Sequence, residues 1–118
     1  MRVAVIGSRL EIDDPVTQIR EHLPPYTSEI VSGGAKGIDS AAKRAAQELG
    51  IPLREFLPDY ERYGKRAPLV RNDEIIAYAD MVLAFWDGES DGTKYVIAEC
   101  LKRAKRVVYI PLKGENQP

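Results

Sequence analysis

One cysteine and one histidine among 118 residues leave little room for disulfide or metal chemistry. A single cysteine forms no internal disulfide. One histidine and one cysteine cannot assemble a Cys/His zinc site within one chain. No apolar run approaches membrane-spanning length. The stretch MRVAVIGSR is too short in apolar residues for a secretory signal, so a cytoplasmic protein with no membrane partner is the expectation. The formal net charge of −1 gives no general pull toward nucleic acid or an anionic membrane. What remains is a chain with 44% hydrophobic and 30% charged residues, long enough to bury a core. It reads as one domain over residues 1–118, with a frayed tail from about residue 112.

What is present is alternation. Arg2 to Ile6, Glu29 to Ser32, Leu53 to Leu57, Met81 to Trp86 and Arg106 to Ile110 are short β-rich runs. The continuous apolar ones suit buried parallel strands. Ile38, Ala41, Ala42, Ala45, Ala46 and Leu49 define one helical face, ended by Gly50 and Pro52. Val96, Ile97, Cys100, Leu101 and Ala104 define another. Further helices are expected from Pro15 to Leu23 and from near Pro68 to Ala79, with Pro58 to Lys65 as a polar, aromatic connection. Five strands alternating with four helices predict an α/β fold. It is a Rossmann-like doubly wound parallel sheet of about five strands, with helices on both faces.

In such sheets ligands sit beyond the carboxyl ends of the strands, where strand order reverses. Three junctions there are unusual. Gly7-Ser8-Arg9 follows the first strand and offers a sharp exit, a hydroxyl and a planar cation suited to phosphate. Ser32-Gly33-Gly34-Ala35-Lys36-Gly37-Ile38-Asp39 leads into a helix. Its spacing is neither G-x-G-x-x-G nor Walker A, but the physics is shared. Glycines let main-chain N–H groups face an anion, and the following helix adds its positive end. Trp86-Asp87-Gly88-Glu89-Ser90-Asp91-Gly92-Thr93 repeats that arrangement with three acidic residues, which suit ribose hydroxyls or a hydrated cation better than bare phosphate. A strand order of 3-2-1-4-5 would make the three junctions neighbours.

Each feature has a plainer reading. Asp39 reads equally as a helix N-cap, and Ser90 or Thr93 as another. Arg71-Asn72 in a helix includes an arginine that could simply face solvent. His22 reads as covering the end of the first helix, Cys100 as core, and Tyr60, Tyr63 and Tyr95 as packing.

GSR near the start, SGGAKGID, the helical RN pair, AD before an apolar strand, and WDGESDGT together resemble the SLOG superfamily, nearest its YspA/YpsA-related branch of bacterial and phage proteins. That resemblance covers nearly the whole chain. It implies a Rossmann-like fold, a nucleotide or ADP-ribose-type ligand, and Gly33, Gly34, Gly37, Gly92 and Thr93 at its phosphate end. No cofactor beyond that ligand is implied, and no metal. A homodimer is a further expectation, with Tyr60, Tyr63 and Trp86 as interface candidates. Two similar families supply alternatives. Lonely Guy phosphoribohydrolases carry a helical arginine, matched by Arg71, and P-G-G-x-G-T-x-E-E, of which Gly92-Thr93 match the G-T. The two glutamates fall on Tyr95 and Val96. An oxocarbenium-like transition state needs a nearby carboxylate, for which Asp39, Asp87 or Glu99 are the candidates. DNA-processing protein A shares S-G-x-A-x-G-I-D, and single-strand binding through Lys36, Lys43, Arg44, Lys65 and Arg66 is the minor alternative.

The expected site is therefore Gly7, Ser8, Arg9, Ser32, Gly33, Gly34, Ala35, Lys36, Gly37, Asp39, Arg71, Asn72, Trp86, Asp87, Gly88, Ser90, Gly92 and Thr93. Gly33, Gly34, Ala35 and Gly37 offer main-chain donors. Ser8, Arg9 and Thr93 complete the anion pocket. Arg71 meets a second phosphate or a ribose, Asp39 fixes the glycine loop, and Asp87 contacts sugar hydroxyls. Arg71, Asp39 and Asp87 are the candidates for chemistry, should the protein be an enzyme.

Overall fold

Five short strands, most of them apolar, pair side by side, and the helices between them cover both faces of the resulting sheet. The computed structural model describes residues 1–7, 14–34 and 37–112. Its elements are β1 (Arg2–Gly7), α1 (Pro15–His22), β2 (Glu29–Ser32), α2 (Ile38–Leu49), β3 (Leu53–Glu55), α3 (Tyr60–Tyr63), a 3-10 turn (Gly64–Arg66), α4 (Ala67–Tyr78), β4 (Met81–Trp86), α5 (Asp91–Lys102) and β5 (Arg106–Pro111).

The order is β3-β2-β1-β4-β5, all parallel. Val3 pairs with Ile30 on one side and Met81 on the other, and Leu83 pairs with Val108. The chain thus leaves β1 in one direction and returns beside it on the other, which creates the reversal point between β1 and β4.

Successive strand residues point to opposite faces, and both faces are buried along the central strands β1, β2 and β4. Val3, Val5, Ile30, Leu83 and Phe85 pack against Ile19 of α1 and Ile38, Ala41, Ala42, Ala45 and Ala46 of α2. Ala4, Ile6, Val31 and Val82 pack against Ile75 and Ile76 of α4 and Val96 and Cys100 of α5. The small alanines of α2 let that helix lie close to the sheet. His22 covers the first helix end as expected: its ring meets Phe85 edge-on at 5.9 Å, and Nδ1 lies 2.7 Å from the Gln18 carbonyl oxygen.

Some expectations shift at element ends. Leu49 belongs to the expected apolar face but is exposed, because Gly50 ends α2 in a left-handed conformation and Ile51 packs on the core instead. Leu101 is 68% exposed although its neighbour Cys100 is buried; one residue turns a helix by about 100°. The third strand stops at Glu55 rather than Leu57. The polar stretch 58–65 contains α3, whose start is capped by Asp59 accepting from the Arg62 amide at 3.1 Å.

Candidate functional site

The strand order places the carboxyl ends of β2, β1 and β4 next to one another. The three glycine-bearing junctions are therefore neighbours. Among the described residues the buried polar side chains are Ser32, Asn72 and Thr93, and all three belong to these tips or to the helix beside them. Burying a polar group costs free energy unless it is bonded, so a cluster of them at one end of a sheet is an informative feature.

At the tip of β2 the chain is tied down. The Gly33 carbonyl accepts a hydrogen bond from Nη1 of Arg71 at 2.9 Å. The Gly34 amide donates to the Ser32 hydroxyl at 3.1 Å. Arg71 is held in turn by Nε donating to Oδ1 of Asn72 at 2.9 Å. A Cβ added at Gly33 would lie 2.6 Å from Nη1 of Arg71, and one at Gly34 would lie 2.5 Å from Cδ2 of Leu57. At the tip of β1, a Cβ on Gly7 would lie 2.6 to 2.9 Å from three atoms of Ile38. Gly7 is thus where α2 closes onto the sheet.

The helix mouths differ. Gly37 is the N-cap of α2, with φ 81° and ψ −120° and no side-chain cap. That conformation is essentially reserved for glycine, and a Cβ there would meet nothing within 4 Å. Asp39 sits half-buried in the first turn rather than at the cap. Beside this mouth a groove of about 520 Å³ runs between α1 and α2, lined by Asp14, Thr17, Gly37, Ser40, Arg44 and Glu48 among others.

Ser90 is the N-cap of α5, but its hydroxyl makes no cap bond to the helix. It donates instead to Oδ2 of Asp87 at 2.9 Å. Oδ1 of Asp87 accepts the amides of Glu89 and Ser90, each at 2.8 Å. Trp86 donates from Nε1 to the Ser90 carbonyl at 3.0 Å and meets Tyr109 edge-on at 5.6 Å. The loop is therefore closed on itself by Trp86 and Asp87, with Gly88 at φ 86° making the turn. Gly92 stands in open space in the first turn of α5, and Thr93 is buried one residue on. Glu89 and Asp91 add negative charge at this mouth.

Of the expected residues, Gly7, Ser32, Gly33, Gly34, Gly37, Asp39, Arg71, Asn72, Trp86, Asp87, Gly88, Ser90, Gly92 and Thr93 all fall on these adjoining tips and their flanking helices. Ser8, Arg9, Ala35 and Lys36 lie outside the described residues. Tyr95 lies on α5 with its hydroxyl donating to Oδ1 of Asp73 at 2.8 Å, and Arg103 holds the same carboxylate at 2.9 Å. The Asp73 carboxylate, then burial, pushes the Tyr95 phenol up to about 12. These contacts join α4 to α5. Burial likewise raises the Cys100 thiol, as suits a core residue. Leu57, whose methyl abuts Gly34, had no sequence signal, because nothing in its spacing ties it to a loop more than twenty residues earlier.

An open parallel sheet with a reversal point between β1 and β4, and glycine turns at its carboxyl edge, defines a Rossmann-like α/β protein. The sequence model of the YspA, cpYpsA-related SLOG family matches residues 1–63. The Gene 61 protein of Mycobacterium phage D29 is 36% identical, the match covering 91% of this chain and 94% of the phage protein. The chain belongs to the YspA, cpYpsA-related SLOG family. Its fold is also that of DNA processing protein A from Streptococcus pneumoniae, with a TM-score of 0.79 over 98% of this chain at 22% identity. The chain spans about half of that protein, 52% of its length. Among the described residues, no helix is long and apolar enough to cross a membrane, and no group of three or more His, Cys, Asp or Glu is placed to hold a metal ion.

Proposed function

We propose that the tips of β1, β2 and β4 bind a nucleotide or nucleotide-derived ligand, with its phosphate at the mouths of α2 and α5. The observation that carries this reading is that the buried polar residues among those described, Ser32, Asn72 and Thr93, lie at the strand tips or on the helices beside them, at the sheet edge where α2 and α5 start without a side-chain cap bond from their N-cap residues. The positive end of a helix dipole and the main-chain N–H groups of a first turn favour an anion at such a start. Gly37 and Gly92 leave those mouths sterically open. Glu89 and Asp91 suit sugar hydroxyls near α5, while Ser8, Arg9 and Lys36 supply the hydroxyl and cations that this reading assigns to the phosphate.

Binding without cleavage is the better supported form. Asp87 already accepts three hydrogen bonds within its own loop, and Arg71 is engaged with Gly33 and Asn72. A second reading rests on exposed Tyr60 and Tyr63, with the Arg62 guanidinium 5.3 Å over the Tyr63 ring and Lys65 and Arg66 exposed nearby. Aromatics interleaved with cations are what single-stranded nucleic acid stacks on.

The test is thermal denaturation with AMP, ADP, ADP-ribose, inorganic phosphate and an oligothymidylate, with chromatography for released base. Binding predicts a Tm that rises with nucleotide concentration, by the equivalent of about 2.7 kcal/mol at a hundredfold excess over Kd. Free base would transfer the site to the hydrolase class. A salt-sensitive shift with the oligonucleotide alone would favour the second reading. No shift with any nucleotide would refute the proposal.

A further inference from the structure

Gly33 differs from the other glycines of its stretch. Gly34 and Gly37 have positive φ, at 73° and 81°, and Gly33 does not. Backbone conformation therefore gives no reason for glycine at this position. Space does: the Arg71 guanidinium fills the volume a Cβ would need, 2.6 Å from Nη1 and 3.0 Å from Cζ. The same guanidinium bonds the Gly33 carbonyl, and Ser32 takes the Gly34 amide from the other end of that peptide. A trans peptide is planar, so holding its C=O and its N–H on opposite sides fixes the whole plane.

We propose that Arg71 is a positioning residue, clamping the Gly33–Gly34 peptide as a rigid wall of the site, and that Gly33 is glycine in order to admit it. Asn72 completes the clamp by fixing Nε, which aims the planar fork. A lysine has one flexible ammonium and cannot serve both acceptors in that geometry. That the wall belongs to a nucleotide site rests on the function proposed above; the clamp itself is a property of the free protein.

The experiment uses the whole chain without ligand. Gly33→Ala, Arg71→Ala and the double variant are compared by thermal denaturation, and hydrogen exchange is followed at the Gly34 amide. Adding the methyl displaces the guanidinium, so either single change breaks the same contact. Each should lower Tm by several degrees, and the double variant should be no less stable than the weaker single one. In Arg71→Ala the Gly34 amide, whose hydrogen bond goes to Ser32 and not to Arg71, should exchange about tenfold faster while that of Ile75 in α4 is unchanged. Additive Tm losses, or a Gly34 amide indifferent to residue 71, would overturn the clamp. Neither readout involves nucleotide, so failure here and failure to bind nucleotide are separate results.

Discussion

The tip of β2 and the start of α5 are both glycine-bearing junctions at the same edge of the sheet, yet their glycines do different things. At β2 the chain's own side chains occupy the space: Arg71 lies on Gly33 and Leu57 on Gly34. At α5 the surrounding loop is closed by Asp87 and Trp86, while Gly92 faces nothing. A glycine beside a packed side chain is there for the protein's own geometry. A glycine beside open space at a helix mouth is available to something else. The glycine-rich motif is thus half scaffold and half opening.

The closed half should be the costly one to disturb. Gly7→Ala forces a methyl against Ile38, a β-branched side chain with little freedom to move. It should cost about 1–3 kcal/mol by denaturant unfolding. Gly37→Ala tests conformation instead of space, since nothing lies within 4 Å but φ is 81°. A cost of about 1–3 kcal/mol is expected there too, toward the lower end. Asp87→Ala removes three hydrogen bonds from the α5 loop and should cost about 1 kcal/mol. Gly92→Ala has neither clash nor positive φ. It should leave stability unchanged or raise it by about 0.5 kcal/mol, while weakening nucleotide binding by keeping the phosphate off the main chain.

A smaller effect distinguishes the α4–α5 flank from the site. The Tyr95 phenol is pushed up to about 12 by Asp73, above the unfolded value of about 10. Its contribution to stability is therefore whole below about pH 10 and lost as pH rises through about 12. Absorbance near 295 nm should show a late tyrosinate step that disappears in Tyr95→Phe.

Most of the architecture was legible because the signals are local. Apolar β-branched runs and the spacing of Ile38 to Ala46 depend on nearest neighbours and on element period alone. Strand order was an assumption of the fold class, and the parallel pairings supply it. The purpose of individual glycines was not legible. Three glycines in one stretch suggested one cause, but they have three: Gly33 admits a guanidinium from 38 positions away, Gly34 makes room for Leu57, and Gly37 starts a helix. Only packing separates them. The Asp59 cap of α3, which accepts from the Arg62 amide, is a local signal inside a stretch whose polar and aromatic composition reads as a connection.

In the proposed function the open helix mouths, and not the clamped peptide, receive the anion. Titrating ADP into isotopically labelled protein separates the two through the amide resonances of Gly37, Gly92 and Thr93 against that of Gly34. Saturable shifts are expected at the first three, larger than the shift at Gly34. Resonances at Gly37, Gly92 and Thr93 that stay still at millimolar ADP would contradict the proposed function.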